Sequence, residues 1–249
     1  MSTSAMARLD LDGWLFDLDG VLAPTAVLHM AAWQELFDEV FVAEGWGPAY
    51  RAADYYALVD GRSRYDGVQA VIQSRGQSWP WGDPSDEGDV RTVCGLANRK
   101  NCLFQGQLAA AGVSAYPGTS GVLEALRRAG KRLAVVSSSR NAGEVLAAAG
   151  LAQFFALVVD GRLAEERVLP GKPAPDTFWY AARELGLTAA RCVVIEDAVA
   201  GVGAGRAGGF GLVVGVDRGA GARALFNAGA GQVVTDLSEL LEPMVGIRS

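Results

Sequence analysis

Two aspartates separated by one leucine, Asp17 and Asp19, close an apolar run that reads as a buried strand, "GWLFDLD" at 13–19. A carboxylate can act as a nucleophile, and a second one two residues on points elsewhere and can manage a proton. Other strand-like runs end in reactive groups as well. "RLAVVSSS" (132–139) delivers Ser137, Ser138 and Ser139, with Arg140 and Asn141 next. "PGKPAPD" carries Lys172, and "RCVVIED" (191–197) ends in Glu196 and Asp197. In an open α/β sheet, ligands bind at the carboxyl ends of the strands. Four carboxylates gathered there in a partly dry site repel one another, and a divalent cation with oxygen ligands resolves the conflict. Mg²⁺ suits a site of few carboxylates plus a phosphate. Lys172 offsets further charge, and serines with helix-start N–H groups can hold an anion. A metal, an anion cradle and a carboxylate nucleophile together describe phosphoryl transfer.

Taken singly, each piece has a plainer reading. An Asp pair after a strand is common turn chemistry, and "SSSRN" is an ordinary loop with a helix N-cap. "GKPAPD" starts a helix with Pro175 and Asp176 in its first turn, and "ED" can be a surface cap. The specific signal is their conjunction, in this order, at strand ends.

Those groups need a scaffold. The apolar runs 13–19, 132–139, 155–161, 191–197, 211–217 and 232–236 read as strands, several of them continuously apolar. That pattern fits a sheet covered on both faces. Helix-like segments lie between them and mostly stop at glycine. Alternation of this kind predicts an α/β fold, a doubly wound parallel sheet. Residues 25–112 break the rhythm. They read as helices over 27–44, about 50–59, 63–75 and 90–111, with an irregular Trp- and Pro-rich loop, "QSWPWGDPSDEG", at 77–88. The expected organisation is a core of 1–24 and 113–249 with a helical insert, 25–112, after the first strand.

Composition narrows the function. Half of the 249 residues are hydrophobic, and the net charge is −6. No nucleic-acid or membrane-surface partner is expected of so acidic a chain. Three scattered cysteines offer neither a disulfide framework nor a zinc pattern, which suits a reducing cytosol. The first residues show no signal peptide, and no apolar run reaches membrane-spanning length. A single histidine, His29, excludes a His-rich metal site, and no GxSxG elbow accompanies it. "GAGRAG" (203–208) fits a dinucleotide fingerprint by pattern only. "EDAVAGV" separates it from the preceding strand, so its glycines are expected to pack a helix on the sheet.

With those residues assembled, the sequence resembles the haloacid dehalogenase-like phosphotransferases. "FDLDGVL", "VVSSS", "GKPAPD" and "VIEDA" match that superfamily's four motifs, and 25–112 corresponds to its helical cap domain. Within it, "DGVLxxTxxxHxxAW" (19–33), "DGRSRYD" (60–66), "NRKN" (98–101), "SSSRN" and "IEDA" resemble the β-phosphoglucomutase family. The resemblance implies interconversion of β-D-glucose 1-phosphate and glucose 6-phosphate through an aspartyl-phosphate enzyme and glucose 1,6-bisphosphate. It implies Asp17 as nucleophile and Asp19 as general acid/base. Ser137 and Lys172 would hold the transferring phosphoryl. Mg²⁺ would be held by Asp17, the Asp19 carbonyl and Asp197, with Glu196 close by. A sugar phosphate is the expected partner, acted on by a cytoplasmic monomer.

In the insert, Ser63 is placed to cap a helix with Asp66 three residues on. The resemblance makes Arg64 a clamp for the non-transferring phosphate, a task suited to a guanidinium fork. Gly61, Arg62 and Ser63 flank it. His29 and Trp33 lie one helical turn apart and share a face. A core histidine is the plain reading. The resemblance links His29 with Lys100 in substrate binding, beside Asn101, and puts Thr25 at the hinge. Ser138, Ser139, Arg140 and Asn141 would add phosphate contacts. The chain departs from the family pattern at Pro24, Arg140, Ala198 and the 77–88 loop. A Mg²⁺-dependent sugar-phosphate phosphatase on the same scaffold is the alternative. A metabolite sensor fits less well because both aspartates are kept, and a dehalogenase because it would use neither Asp19 nor metal.

Overall fold

The computed structural model describes residues 10–241. The sequence expectations on the first nine residues, including the absence of a signal peptide, and on 242–249 fall outside that range. The chain divides into two compact units, Met1–Pro24 with Val113–Ser249, and Thr25–Gly112.

The first unit is built on a six-stranded parallel sheet among the described residues. Its strands are β1 (Gly13–Phe16), β2 (Arg132–Val136), β3 (Leu157–Val159), β4 (Cys192–Glu196), β5 (Leu212–Val216) and β6 (Gln232–Val234). Their spatial order is β3-β2-β1-β4-β5-β6. The order reverses between β1 and β4, and such a switch point opens a crevice at the strand ends. The register sets what meets there: Phe16 pairs with Val135 on one side and Ile195 on the other. Asp17 therefore leaves the sheet level with Val136 and Glu196, one residue ahead of Ser137 and Asp197. The core residues Leu15, Ala134, Val194, Phe178 and Val202 are fully buried, as continuous apolar strands require.

The strands are shorter than their apolar runs because their last residues leave the ladder to build loops. "FALVVDG" shows this most clearly. Its final glycine, Gly161, begins a short helix, Gly161–Glu166, that the sequence reading missed. Asp160 caps it, its Oδ1 accepting the Leu163 N–H at 2.8 Å. "GAGRAG" lies inside the helix Val199–Ala207 and not in a strand-to-helix turn. A Cβ at Gly205 would come within 3.0–3.1 Å of Val213 and Val194, so the glycine allows close helix–sheet packing.

The second unit is helical, with helices Ala26–Glu44, Arg64–Ser74 and Val93–Ala111. A short helix at Ala52–Asp54 runs into a π-helical turn over Tyr55–Val59. It has its own aromatic-rich core of Trp33, Phe37, Phe41, Tyr50, Tyr55, Val68 and Ile72. The 77–88 loop has no regular structure yet is well tied. Its Pro80 and Trp81 carbonyls accept the Val93 and Cys94 N–H groups, and Thr92 Oγ1 accepts that of Gly95. The loop thereby supplies partners for N–H groups that a helix start leaves open. Cys94 and Cys192 are buried and Cys102 is exposed. Burial pushes the Cys192 thiol up to about 11. Among the described residues no helix is long and apolar enough to cross a membrane.

Candidate active site

Asp17 extends the β1 ladder by one bond, its N–H donating to the Ile195 carbonyl at 2.9 Å. Its side chain is buried, as are Lys172, Glu196 and Asp197. Lys172 Nζ donates to Asp17 Oδ1 at 2.6 Å and to the Val136 carbonyl at 3.0 Å. The same ammonium pairs with Glu196. One lysine thus bridges the ends of β1, β2 and β4. Its Nζ also stands 5.2 Å from the centre of the Phe178 ring, so the pair rests on the apolar core.

The charges do not balance within this cluster. Burial pushes the Asp17 carboxyl well above the usual range; Lys172 opposes the shift, while Glu196 and Asp19 add to it. Burial also works against the Lys172 charge, but Asp17 and Glu196 outweigh it and raise the ammonium above its ordinary value. Asp17, Glu196 and Asp197 each offer a carboxylate oxygen, and these atoms lie within 4.8 Å of one another. An all-oxygen set carrying surplus negative charge fits a hard divalent cation.

Asp19 occupies a different environment. It is half-exposed, and Ser137 Oγ donates to its Oδ2 at 3.3 Å. Gly20 follows with φ +82°, its N–H donating to the Ala23 carbonyl at 2.9 Å. A Cβ at Gly20 would collide with the Asp197 carboxylate, so only glycine lets the turn pass. A Cβ at Gly201 would likewise strike the Glu196 carboxylate.

The β2 loop forms a ladder of short turns. Ser139 N–H donates to Ser137 Oγ at 3.1 Å, and Asn141 N–H donates to Ser139 Oγ at 3.2 Å. Asn141 is buried, while Ser138, Ser139 and Arg140 are half-buried. Arg140 pairs with Glu165 at 3.3 Å, on the short helix missed in the sequence. Ala198 is buried and its N–H donates to Glu196 Oε2 at 3.3 Å, a contact that needs no polar side chain. Nothing in the structure explains Pro24.

Residues 11–209 match the family model for haloacid dehalogenase-like hydrolases. The chain belongs to that family. It is 47% identical to a β-phosphoglucomutase of Mycobacterium bovis over 91% of this chain and 90% of the relative. A crystal structure of β-phosphoglucomutase from Clostridium difficile shares the fold, with TM-score 0.76 at 23% identity over 94% of this chain and 95% of the other. CbbY from Rhodobacter sphaeroides, solved in complex with phosphate, superposes with TM-score 0.70 at 27% identity over 92% and 96% of the two chains.

The helical unit gathers its own group of candidate residues. Ser63 caps the helix Arg64–Ser74: its Oγ accepts the Asp66 N–H at 3.2 Å and donates to Asp66 Oδ2 at 2.6 Å. Gly61 takes φ +73°, and Arg62 N–H donates to the Val59 carbonyl at 3.1 Å, closing the turn ahead of it. Arg64 Nη2 donates to Asn98 Oδ1 at 2.7 Å and to the Tyr65 hydroxyl at 3.0 Å. Asn98 in turn donates to the Pro84 and Asp86 carbonyls. Asn98 opens the "NRKN" stretch, but the sequence reading gave a role there only to Lys100 and Asn101. Its signal lies in the loop it ties down.

His29 stacks on Phe104 with ring centres 3.9 Å apart and an interplanar angle of 11°. The buried Lys100 meets His29 Nδ1 and stands 4.9 Å from the Trp33 ring centre. The shared face of His29 and Trp33 is therefore a lysine seat. Thr25 is buried at the start of its helix, its carbonyl accepting the His29 N–H at 3.0 Å. Asn101 is half-buried next to Lys100.

Proposed function

We propose that the protein is a Mg²⁺-dependent β-phosphoglucomutase that interconverts β-D-glucose 1-phosphate and glucose 6-phosphate. The observation that carries this reading is the contrast between Asp17 and Asp19. One is buried and gripped by Lys172; the other is half-exposed and within reach of Ser137. Two carboxylates in two environments take two roles.

The cycle starts from the enzyme carrying a phosphoryl on Asp17. The 6-hydroxyl oxygen of β-glucose 1-phosphate attacks that phosphorus, the bond to the Asp17 oxygen breaks, and Asp19 accepts the hydroxyl proton. Glucose 1,6-bisphosphate then turns over. An Asp17 oxygen attacks the phosphorus at position 1, Asp19 returns the proton to the leaving sugar oxygen, and glucose 6-phosphate departs. Lys172 neutralises charge on the approaching phosphate, and Ser137 donates to it. Asp17, Glu196 and Asp197 would hold Mg²⁺, with the Asp19 carbonyl as a further ligand by family resemblance. A cation held there would supply positive charge that screens the phosphoryl oxygens from the carboxylates. Arg64 would clamp the second phosphate, with His29, Lys100 and Asn101 beside the sugar and Ser138, Ser139, Arg140 and Asn141 adding contacts. The helical unit would act as a cap that limits water. We assign the enzyme to the cytoplasm as a monomer.

Phosphorus NMR with β-glucose 1-phosphate, Mg²⁺ and trace glucose 1,6-bisphosphate tests this. Glucose 6-phosphate is the expected product. Free phosphate as the main product would show a sugar-phosphate phosphatase, with water as the acceptor.

A further inference from the structure

A second cationic group bears on the Asp19 turn from the far side of the sheet's midline, and the reaction cycle above gives it no task. β5 ends at Val216, and the chain then turns tightly. Asp217 N–H donates to the Val234 carbonyl at 2.8 Å, and Asp217 Oδ1 accepts the Gly219 and Gly221 N–H groups at 3.1 Å each. This turn presents Arg218.

The Arg218 side chain joins three segments. Its Nε donates to the Gly20 carbonyl at 3.0 Å, and its Nη1 donates to the Thr235 carbonyl at 2.8 Å, just beyond β6. Its guanidinium carbon stands 3.9 Å from the centre of the Tyr116 ring. Tyr116 is itself fixed to the same loop, its N–H donating to the Leu22 carbonyl at 3.0 Å. Nη2 is buried and makes no hydrogen bond.

A long, flexible arginine held by two directional bonds and an aromatic face has given up its rotamer freedom. What it immobilises is the Gly20–Val21 peptide, one unit beyond the bond that joins Asp19 to Gly20. Gly20 also lies so close to the Asp197 carboxylate that a Cβ there would collide with it. If the Gly20 peptide rotates, Asp19 and Asp197 shift relative to each other.

We propose that Arg218, seated on Tyr116, is a positioning residue that holds the Gly20 turn and so fixes Asp19 against Asp197 for proton and phosphoryl transfer. This rests on the reading of Asp19 as the acid/base. A misplacement of about 1 Å can cost on the order of a hundredfold in rate.

The test compares wild type, Arg218→Ala and Arg218→Lys in hexose-phosphate interconversion and in hydrolysis of p-nitrophenyl phosphate, with thermal unfolding of each. Arg218→Ala is expected to lose about tenfold to a hundredfold in kcat, with KM little changed and the fold retained. Millimolar guanidinium should restore part of that loss. Arg218→Lys should recover little, because an ammonium cannot reproduce the fork. An unchanged kcat in Arg218→Ala overturns the proposal. So does a loss that tracks the unfolded fraction and is not rescued by guanidinium. A wild type that hydrolyses p-nitrophenyl phosphate but does not interconvert hexose phosphates defeats the mutase reading alone. The ratio of Arg218→Ala to wild type on p-nitrophenyl phosphate then still decides the positioning role.

Discussion

Asp17 and Glu196 share one ammonium, that of Lys172, in a place where none of the three is accessible. Two buried carboxylates on one lysine leave a negative charge that the protein alone does not neutralise. Asp17 responds by rising well above its ordinary value of 3.8, with burial the largest cause. A folded value above the unfolded one means that the stability lent by protonation is full below pH 3.8 and is lost as pH climbs through the raised value. Lys172 is raised as well, so its contribution is lost only at alkaline pH, above its ordinary 10.5. An added divalent cation therefore gains most where Asp17 must ionise. We expect the thermal shift caused by Mg²⁺ to be larger at about pH 7.5 than at about pH 5, and Asp17→Asn to remove most of the difference. Thermal melts at both values check this, and a shift independent of pH would contradict it. The sequence made Asp17, Asp19, Glu196 and Asp197 legible because each stands at or just after a strand end, and Lys172 because it sits in the "GKPAPD" stretch ahead of a helix. It did not reveal that Lys172 bridges two of them, because that pairing depends on register between distant strands.

At the scale of elements, apolar runs marked all six strands but overshot their ends. Asp17 and Ser137 each add one last ladder bond, to the Ile195 and Val159 carbonyls, before the chain leaves the sheet, and hydropathy does not record where hydrogen bonding stops. The helix Gly161–Glu166 was missed because its N-cap, Asp160, closes a run of valines. Its Glu165 turns out to hold Arg140. The 77–88 loop is more informative still. Two of its carbonyls hold the Asn98 amide, which leaves Asn98 Oδ1 to accept from Arg64. Local sequence could not show this, because the bond joins two helices and a loop 34 positions apart in its longest step. Loss of a hydrogen bond to a charged group costs about 1.5–3 kcal/mol. Asn98→Ala is expected to raise KM for β-glucose 1-phosphate about tenfold or more, with Arg64 no longer oriented. Hydrolysis of p-nitrophenyl phosphate should be unaffected, since that substrate has no second phosphate. Steady-state kinetics on both substrates would expose an error, as equal effects on the two would mean that Asn98 acts on folding alone.

For the whole molecule, the break in strand–helix rhythm at 25–112 reflects two separate apolar cores. Leu15, Val194 and Phe178 belong to one, and Trp33, Phe37 and Ile72 to the other. Each unit has its own buried cluster, so each has its own reason to stay folded, and a protein of this kind need not unfold as one cooperative block. Phe37 probes the division. Its side chain is fully buried, stacked on Trp33 at 5.4 Å and tilted against Tyr50 at 4.9 Å between ring centres. Truncation of a buried phenylalanine costs about 3–5 kcal/mol. In a unit of this size that corresponds to a fall in Tm of about 10 °C or more. Phe37→Ala should therefore split the calorimetric trace into an early transition from the helical unit and a later one close to the wild-type position. Mg²⁺ should still raise the later transition, because Asp17, Glu196 and Asp197 all belong to the sheet unit. A single transition that moves as a whole would show instead that the two cores stand or fall together.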